Sequence, residues 1–547
     1  MPRVRWIIVS LVVLLSIAFA SYTWTNAILD SMFAYRSPLK DSSPAPGAPL
    51  GQPLTSRIVL VIVDALRQDT SRRPDVMPFL GQLRGQGAWA VMHSQPPSWS
   101  QTGWTTIATG AWPEINDGPA INVGSDKIWP WTQDNIFAMA KRAGLKTAVS
   151  GYDWWERFIK PEWLNSGFFT HGEDDAADQG VMNAVLPWLT SGNDQLVLIH
   201  IDQVDYAGHH EGGPRDSRWN AAAARADAML EQIAGALDLK KDTLIVVSDH
   251  GQIDRGGHGG QDPITLVEPF VMAGAGVKPG RYPDVQMVDI APTMAALLGT
   301  NLAASGEGKP LLEMLTVDVA RQTVIRAAWS AQQAALGSAY AFAIGAPPQP
   351  GESALAQITA ARESRESKEQ LPRLIIAAFT VLVVSLGGAG LLVRKCNRDA
   401  GRLVLAAILY VVLYNLIFAV IAGNTYSMSS VPISGATDFV VEIAEYTLVA
   451  VIIGWLAAML LTGAFKRGAL FSAQATFGFA FVTIYLLYLP ALWGLAVNGV
   501  VTTWRLPDLL AQFLHFTNLV QAMLVAVLSI SLAGVAALIG WRLKAKA

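Results

Sequence analysis

Six residues of the kinds that bind metal ions follow or lie near apolar runs of the chain. They are Asp64, Asp205, His209, Asp249, His250 and His258. The Asp249-His250 dipeptide taken alone would be more typical of a turn or of a hydrogen-bonded pair. Together, however, three carboxylates and three imidazoles are enough for two zinc-like ions separated by a phosphate-sized gap. Two such cations would neutralise the attacking and the leaving oxygens of an in-line displacement.

A serine that can act as a nucleophile occurs in the segment PSWSQTGWTTIATG, residues 97–110. The residues after Ser100 can form a helix that ends near Gly110, which would place the hydroxyl at a positive helix amino terminus. The alternative is an ordinary helix cap, which we would prefer if the six ligands were absent. A cation beside the hydroxyl would lower its pKa, so no separate histidine base is required.

Buried strand-like runs alternate with helical patterns between residues 57 and 299. The runs are IVLVIV from residue 58, TAVSGY from 147, LVLIHI from 196, TLIVVS from 243 and PFVMAG from 269. This alternation predicts an α/β domain with a mostly parallel sheet and helices on both faces. Asp64, Asp205 and Asp249 each fall just beyond the carboxyl end of a predicted strand, where open α/β sheets place ligand sites.

The composition predicts a membrane protein. The chain has 547 residues of which only 15% are charged, and its mean hydropathy is +0.33, which is too apolar for a purely soluble protein. The net charge of -3 and the lack of a basic run in the polar half argue against nucleic acid as a partner. The single cysteine, Cys396, excludes internal disulfides and a cysteine-based zinc cluster.

An apolar run from Trp6 to Tyr22 follows Arg3 and Arg5, which predicts a membrane span with its amino terminus inside. Cleavage after Ala20 is the alternative, and either outcome exports the domain that follows. Five further spans are predicted: Leu374 to Val393, Leu403 to Ala422, Phe439 to Leu461, Leu470 to Leu492, and Leu509 or Leu519 to Trp541. The positive loop charges alternate, so both termini should be cytoplasmic unless the first segment is cleaved.

These patterns predict five regions in the chain. They are an amino-terminal transmembrane signal anchor (1–24), a flexible linker (25–56), an extracytoplasmic two-metal domain (57–345), a second linker (346–373) and a carboxy-terminal transmembrane domain (374–547). Glu442 and Glu445 fall near the outer end of the fourth span. They predict either a lipid-headgroup site or a pair that stays in contact with water.

The motifs occur in an order that resembles the alkaline phosphatase superfamily. They are Asp64 after a strand, the P-S-x-S element with Ser100, Asp205-x-x-x-His209, Ser248-Asp249-His250-Gly251, His258 and DIAPTMAALLG from residue 289. The resemblance covers roughly residues 57–299. It is greatest to the type I phosphodiesterase/nucleotide pyrophosphatase branch and to the GPI ethanolamine phosphate transferases.

The resemblance implies a role for each motif residue. Asp64, Asp249, His250 and the Ser100 oxygen would hold one zinc, while Asp205, His209 and His258 would hold the other. Attack by Ser100 on a phosphodiester would give a phosphoserine, which water or an alcohol then resolves. Thr102 is the alternative nucleophile, although it falls two places late in the pattern. An asparagine that holds a phosphate oxygen would correspond to Asn122, with Asn116 as the alternative.

The resulting hypothesis is a membrane-anchored, two-zinc phosphodiesterase or phosphoethanolamine-type phosphotransferase that acts on a lipid or glycolipid phosphodiester. The alternatives are an extracytoplasmic nucleotide pyrophosphatase or phosphomonoesterase, and an inactive membrane scaffold or transporter. A sulfatase is disfavoured because the residues after Ser100 lack the proline and arginine of the formylglycine motif.

Other polar and aromatic residues near the motifs have structural interpretations. His93, His171, His200 and His210 are expected to be surface or hydrogen-bonded histidines rather than ligands. Several tryptophans crowd the segments around Ser100, where they would stack on a sugar, lie at the membrane interface or pack in the core. They are Trp99, Trp104, Trp112, Trp129, Trp131, Trp154 and Trp155.

Overall fold

A computed structural model describes residues 2–346, 354–395 and 398–545, and these divide into two compact units. The helical unit comprises Met1–Met32, Ser367–Thr502 and Pro507–Ala547. The sheet unit comprises Phe33–Glu366 and Thr503–Leu506. The unit boundaries therefore fall within helices or loops at both ends of the sheet unit.

The strands and helices occur in the order expected for an α/β domain followed by long helices. The strands are β1 (Arg57–Val63), β2 (Ala88–His93), β3 (Thr147–Tyr152), β4 (Ser166–Thr170), β5 (Leu196–Ile201), β6 (Asp242–Val247), β7 (Val267–Gly274), β8 (Gly280–Arg281) and β9 (Val285–Gln286). The helices are α1 (Pro2–Phe33), α2 (Gln68–Ser71), α3 (Pro78–Gln86), α4 (Ser100–Thr109), α5 (Pro113–Asn116), α6 (Ile136–Arg142), α7 (Trp154–Phe158), α8 (Asp175–Ser191), α9 (Gln203–His210), α10 (Ser217–Gly235), α11 (Ile290–Leu298), α12 (Val319–Ala343), α13 (Ala354–Lys395), α14 (Arg398–Asn415), α15 (Ala436–Thr462), α16 (Ala469–Asn498) and α17 (Leu509–Ala545).

The sheet has the strand order β4-β3-β5-β1-β6-β7-β2-β8, and β9 pairs with β2. Strand β1 lies between β5 and β6 and is parallel to both, and β3 and β4 continue the parallel part of the sheet. Strand β7 is antiparallel to β6 and to β2. The predicted mostly parallel sheet is confirmed.

Both faces of the sheet are covered, as its apolar strands require. In β1, Ile58, Leu60 and Ile62 belong to one buried cluster, while Val59, Val61 and Val63 belong to another on the opposite face. Successive side chains of a strand point to opposite faces. Strand β1 is therefore apolar on both faces, and its carboxyl end is packed between two buried clusters.

The helical unit contains helices long and apolar enough to cross a membrane, and six such helices occur among the described residues. This agrees with the predicted number of spans. Helix α17 begins at Leu509, the earlier of the two starts considered. The orientation of the spans in a membrane stays a prediction, and Cys396 lies outside the described residues. In α15, Glu442 is partly buried and Glu445 is exposed.

The two predicted linkers differ from the structure. Helix α1 continues to Phe33, nine residues beyond the boundary placed at residue 24, and the segment after it is packed because Leu39 and Leu50 are buried. Of the second linker, residues 347–353 lie outside the described residues, and the rest begins helix α13. The polar and Pro-rich composition of the first segment had indicated a flexible linker, although its Leu39 and Leu50 are buried.

Four strands of the sheet were not predicted from the sequence, namely β2, β4 and the two-residue strands β8 and β9. Strand β2 alternates between buried and partly buried residues, and β4 has only partly buried or exposed positions. Both lie toward the edges of the sheet, where one face or one side is less enclosed. A search for continuous apolar runs therefore finds the central strands and misses these.

Candidate metal centre and nucleophile

The three central parallel strands end at the same level, and the acidic residues follow them there. Val63 of β1 is paired with Ile201 of β5, and Ile62 is paired with Val247 of β6. Asp64 comes directly after β1 and Asp249 follows β6, whereas Asp205 lies in the first turns of α9 after β5. The register of the sheet thus brings residues distant in sequence to one edge.

One group of candidate ligands consists of Asp64, Asp249 and His250. One ligand atom from each lies within 4.8 Å of the others. The Nε2 atom of His250 is 3.4 Å from Asp64 Oδ1 and 3.5 Å from Asp249 Oδ2. Both carboxylate oxygens are buried and have no hydrogen-bond partner among the described residues, so they are available to a cation.

A second group contains Asp205, His250 and His258, with ligand atoms that again lie within 4.8 Å of one another. His209 adjoins this group, because its Nε2 is 3.0 Å from that of His258 and 3.4 Å from Asp205 Oδ2. Asp205 and His209 are four residues apart in α9, so they share one face of the helix. The structure brings all six predicted ligands together and places His250 beside both groups.

Hydrogen bonds at the far side of two imidazoles decide which ring nitrogen carries the proton. Nδ1 of His258 is 2.9 Å from the Ser98 carbonyl oxygen, and Nδ1 of His250 is 3.1 Å from the Gly251 carbonyl oxygen. A carbonyl only accepts, so each Nδ1–H is the donor and each neutral ring has its lone pair on Nε2. Metal-binding histidines are usually held in this way.

Burial alters the protonation of these groups. It lowers the pKa of His250 to about 4 and that of His258 to about 3, so both rings are neutral at pH 7. Burial also raises the pKa of Asp64, further raised by nearby Asp249. Burial would likewise raise the pKa of Asp205, but the imidazoles of His209 and His258 outweigh it and lower that pKa to about 2.

These observations test whether divalent ions fit the residues present. Lone pairs on the Nε2 atoms of His250 and His258 point toward the oxygens of Asp64, Asp249 and Asp205 at 3.4 to 3.6 Å. Such contacts between acceptors are repulsive unless a proton or a cation lies between them. The donor set of carboxylate and imidazole groups is one that suits zinc. The side chains therefore fit bound divalent metal.

Ser100 is the first residue of α4, and its hydroxyl contacts the candidate ligands. Its Oγ is 3.1 Å from His250 Nε2, and Trp99, not Ser100, occupies the helix-cap position. Helix α4 packs directly against the backbone of Asp249, where a Cβ at Gly103 would lie 2.7 Å from the carbonyl oxygen. Glycine at this position permits the approach that brings Ser100 to the site.

The other predicted site residues fall at different distances from Ser100. Asn122 is half-buried, and its Oδ1 accepts a hydrogen bond from the backbone N–H of Gln101, next to Ser100. Asn116 is buried, and its side chain bonds within the turn after α4. The Thr102 hydroxyl donates to the Pro119 carbonyl. Of the two asparagines considered, the structure places Asn122 beside Ser100.

Two residues that hold Asp64 were not identified from the sequence as part of the site. His200 Nε2 is 2.9 Å from Asp64 Oδ2, and the indole N–H of Trp104 donates to the same oxygen at 3.2 Å. His200 is fully buried in β5, and its hydrogen bond agrees with the prediction of a surface or hydrogen-bonded histidine. Trp104 also stacks on Trp155. All six residues of β5 are buried, so the pattern of the strand did not indicate that His200 contacts Asp64.

The order of the motifs and the matched family model support the resemblance of residues 58–293 to the alkaline phosphatase superfamily. This segment matches the family described as type I phosphodiesterase / nucleotide pyrophosphatase, a type of domain that acts on phosphodiesters. The predicted resemblance is thereby confirmed.

Curated relatives and solved structures resemble this half of the chain. Human GPI ethanolamine phosphate transferase 3, catalytic subunit, is 27% identical over 289 residues, which are 48% of this chain and 26% of that protein. The human transferase 2 catalytic subunit is 26% identical over 295 residues, or 49% and 29% of the two chains. This chain thus spans between a quarter and a third of their length. Human ectonucleotide pyrophosphatase / phosphodiesterase 5 gives a TM-score of 0.41 at 15% identity, over 48% of this chain and 100% of that one.

Proposed function

We propose that this protein is a membrane-bound phosphotransferase that moves a phosphoethanolamine-type group from a lipid-linked phosphodiester through a phosphoserine at Ser100. The observation that carries the proposal is the contact of Ser100 Oγ with His250 Nε2 at 3.1 Å, between two adjoining groups of carboxylate and imidazole ligands. The names of the related GPI ethanolamine phosphate transferases support the choice of transferred group.

We infer that the metal ligands divide between two zinc ions. Asp64, Asp249, His250 and the Ser100 oxygen would hold one, and Asp205, His209 and His258 would hold the other. When bound, the ions supply positive charge to the phosphate oxygens and lower the pKa of the serine hydroxyl. The position of His250 between the two ligand groups supports closely spaced ions.

In the first step, the Ser100 Oγ attacks phosphorus as the bond from phosphorus to the leaving alcohol breaks. The hydroxyl proton passes to solvent, and the departing alkoxide takes up a proton. In the second step, an alcohol attacks the phosphoserine and gives up its proton, which regenerates the serine. Helix α4, which packs against the backbone of Asp249, would direct its amino terminus toward the phosphate charge.

Asn122 is positioned to orient a substrate phosphate. Because its Oδ1 already accepts from the Gln101 N–H, the amide nitrogen is the group left to donate to a phosphate oxygen. Its half-buried position beside Ser100 supports this role. An Asn122→Ala variant should lose rate chiefly in kcat, because the donated bond would be strongest as charge develops.

The proposal includes an integral membrane location with the sheet unit outside the cytoplasm and both termini inside, unless the amino-terminal segment is cleaved. Six helices of sufficient length and apolarity support the membrane location, and the positive loops support the orientation. Within the chain, residues 57–345 would form the catalytic domain and residues 374–547 the transmembrane domain. Nothing in the charge distribution favours nucleic acid as a partner.

The decisive experiment is to trap the phosphoserine. The purified full chain would be incubated with zinc and a phosphatidylethanolamine donor, acid-quenched and digested. Mass spectrometry should find phosphoethanolamine or phosphate on the peptide containing Ser100. An adduct on Thr102 and none on Ser100 would identify Thr102 as the nucleophile. Turnover without any covalent adduct in rapid-quench samples would contradict the mechanism.

A hydrolase is the second candidate, because the matched family description names phosphodiesterases and nucleotide pyrophosphatases. It shares the chemistry up to the phosphoserine and differs only in the acceptor. Adding a glycan alcohol to the assay separates the two functions. Transfer requires a glycan product that grows at the expense of the hydrolysis product, whereas a hydrolase releases the same product with or without the alcohol. Release of nucleoside monophosphate from a dinucleotide would favour the pyrophosphatase alternative.

A further inference from the structure

The helical unit contains a cavity of about 400 Å³ between α14, α16 and α17. Most of its lining is aliphatic or aromatic, but Tyr414, Asn415, Thr517 and Asn518 bring polar groups to it. A mostly apolar cavity of this size with a few polar groups has the character of a site for a small or elongated ligand.

The cavity reaches the outer surface of the helical unit. Ile408 and Val412 both line it, and they are 46% and 56% exposed on α14. In a bilayer, exposed aliphatic side chains on a spanning helix face the lipid tails. A hydrocarbon chain can therefore enter from the side without crossing a polar surface.

The helices around the cavity are irregular at the cavity itself. Residues Leu416–Ile421 form a π-helical segment that continues α14, and its Phe418 lines the cavity. On the other wall, Pro490 lies within α16, so the Leu486 carbonyl loses its helical N–H partner. Such departures from regular helix are costly in a membrane and are frequent at functional sites.

A buried hydroxyl at the cavity lacks a partner. Tyr414 lines the cavity and is only 4% exposed, and its hydroxyl oxygen makes no hydrogen bond among the described residues. A buried donor is unfavourable unless some group accepts from it. A ligand that combines a hydrocarbon chain with an ester carbonyl would satisfy both the walls and this hydroxyl.

The cavity lies in the half of the helical unit in which α1 ends. It is formed by the last turns of α14 and α16 and the first turns of α17. The last turns of α1 pack against the same elements, because Ser21 bonds to Tyr488 and the Trp24 indole donates to the Val500 carbonyl. After α1 the chain passes to the sheet unit.

We propose that this cavity binds an acyl chain of the glycerophospholipid whose headgroup phosphodiester is the substrate. The chain occupies the apolar space, and the Tyr414 hydroxyl donates to its ester carbonyl. The headgroup then lies at the membrane surface on the side where α1 ends. Binding of a glycerophospholipid is independent of the catalytic chemistry, but its identity as the substrate rests on the proposed function.

Filling the cavity tests the proposal in the full-length protein in nanodiscs. Val411 lines the cavity, and Val411→Phe should raise the KM for phosphatidylethanolamine about tenfold by displacing roughly two methylenes. Val449→Phe makes the same change at an exposed position of α15 and should leave that KM unchanged. An equal KM for wild type and Val411→Phe would overturn the proposal.

A soluble bis-aryl phosphodiester separates this inference from the proposed function. Wild type, Val411→Phe and Val449→Phe should hydrolyse it equally, because it needs no acyl site. If Val411→Phe loses this activity as well, Tyr414→Phe replaces it as the cavity variant. A wild-type protein inactive on both this compound and phosphatidylethanolamine would refute the proposed function, while photolabelling would still test lipid binding.

Photolabelling measures occupancy directly. Phosphatidylethanolamine with a diazirine in one acyl chain should label peptides that contain residues 408–418 and 513–521. Tyr414→Phe should weaken that labelling several-fold without lowering the lipid-free melting temperature, because the hydroxyl makes no hydrogen bond among the described residues. Labelling confined to other peptides, or a cavity labelled equally by a diazirine sterol, would refute an acyl-chain site for glycerophospholipid.

Discussion

His209 and His258 face each other through their Nε2 atoms at 3.0 Å. The Nδ1–H of His258 donates to the Ser98 carbonyl at 2.9 Å, so its Nε2 carries a lone pair. His209 lies beside Asp205, whose carboxylate stays ionised to a pH of about 2. Two imidazoles and an anion converging in this way leave room for a shared cation.

Replacing the nucleophile should separate catalysis from metal binding. We expect Ser100→Ala to lower turnover by at least about 10³-fold, because the proposed mechanism assigns the covalent adduct to the Ser100 hydroxyl alone. The zinc content should largely survive, since the other ligands remain. The measurement is steady-state hydrolysis of a bis-aryl phosphodiester with parallel metal analysis. Thr102→Ala is the matched control and should stay active; the reverse ranking of the two variants would contradict the assignment.

The two ligand groups predict separate losses of metal. Wild-type protein should contain about two zinc ions per chain, and Asp249→Asn and His258→Ala should each lose about one. Inductively coupled plasma mass spectrometry after gel filtration provides the measurement. His171→Ala is the control, because that side chain is 86% exposed. Full zinc content in both ligand variants would show that the zinc is bound elsewhere.

The indole of Trp104 should strengthen the metal site without touching the metal. Trp104→Phe removes the N–H that orients Asp64 but keeps an aromatic ring against Trp155. We expect zinc affinity to fall by about tenfold, the lower end of the effect of residues that orient ligands. Chelator titration followed by residual activity measures this change.

A tryptophan far from the metal ligands provides the comparison for that variant. Trp329→Phe removes an indole bond to the Gly308 carbonyl and should leave the chelator midpoint unchanged. A midpoint that moves equally in the two variants would indicate general destabilisation rather than a lost contact to Asp64.

Asp178 should make stability depend on pH. Burial raises its pKa from 3.8 to about 7, although the backbone N–H groups of Asp202 and Gln203 oppose that shift. The folded state therefore binds this proton more tightly than the unfolded state. Its stabilising contribution is complete below about pH 4 and is lost as the pH rises toward 7.

The Asp178→Asn variant isolates this contribution. The melting temperature of the wild type minus that of Asp178→Asn should fall as the pH is raised from 4 to 7 in zinc-saturated buffer. Differential scanning fluorimetry in detergent is the measurement, and Asp126→Asn, at an exposed position, is the control. If the wild-type value minus the variant value rises with pH, the change would have the wrong sign for a raised carboxyl pKa.

The sequence predicted the parts of the fold that depend on local pattern. Strands β3 and β5 coincide with the runs TAVSGY and LVLIHI, because continuous burial on both faces requires continuous apolar residues. The long apolar helices were equally visible. Strand β2 was missed because its buried and partly buried residues alternate, and α1 extends past its predicted end because packed residues follow the apolar run.

The candidate site divides in the same way. By itself, the sequence determined the kinds of candidate ligand, the serine and their order. Carboxylate and imidazole groups that follow buried strands indicate metal ligands from residue type and position alone. The tertiary structure decided that His250 adjoins both ligand groups, that Asn122 rather than Asn116 lies beside Ser100, and that His200 and Trp104 hold Asp64. These contacts depend on strand register and helix packing, which bring together residues that no local pattern connects.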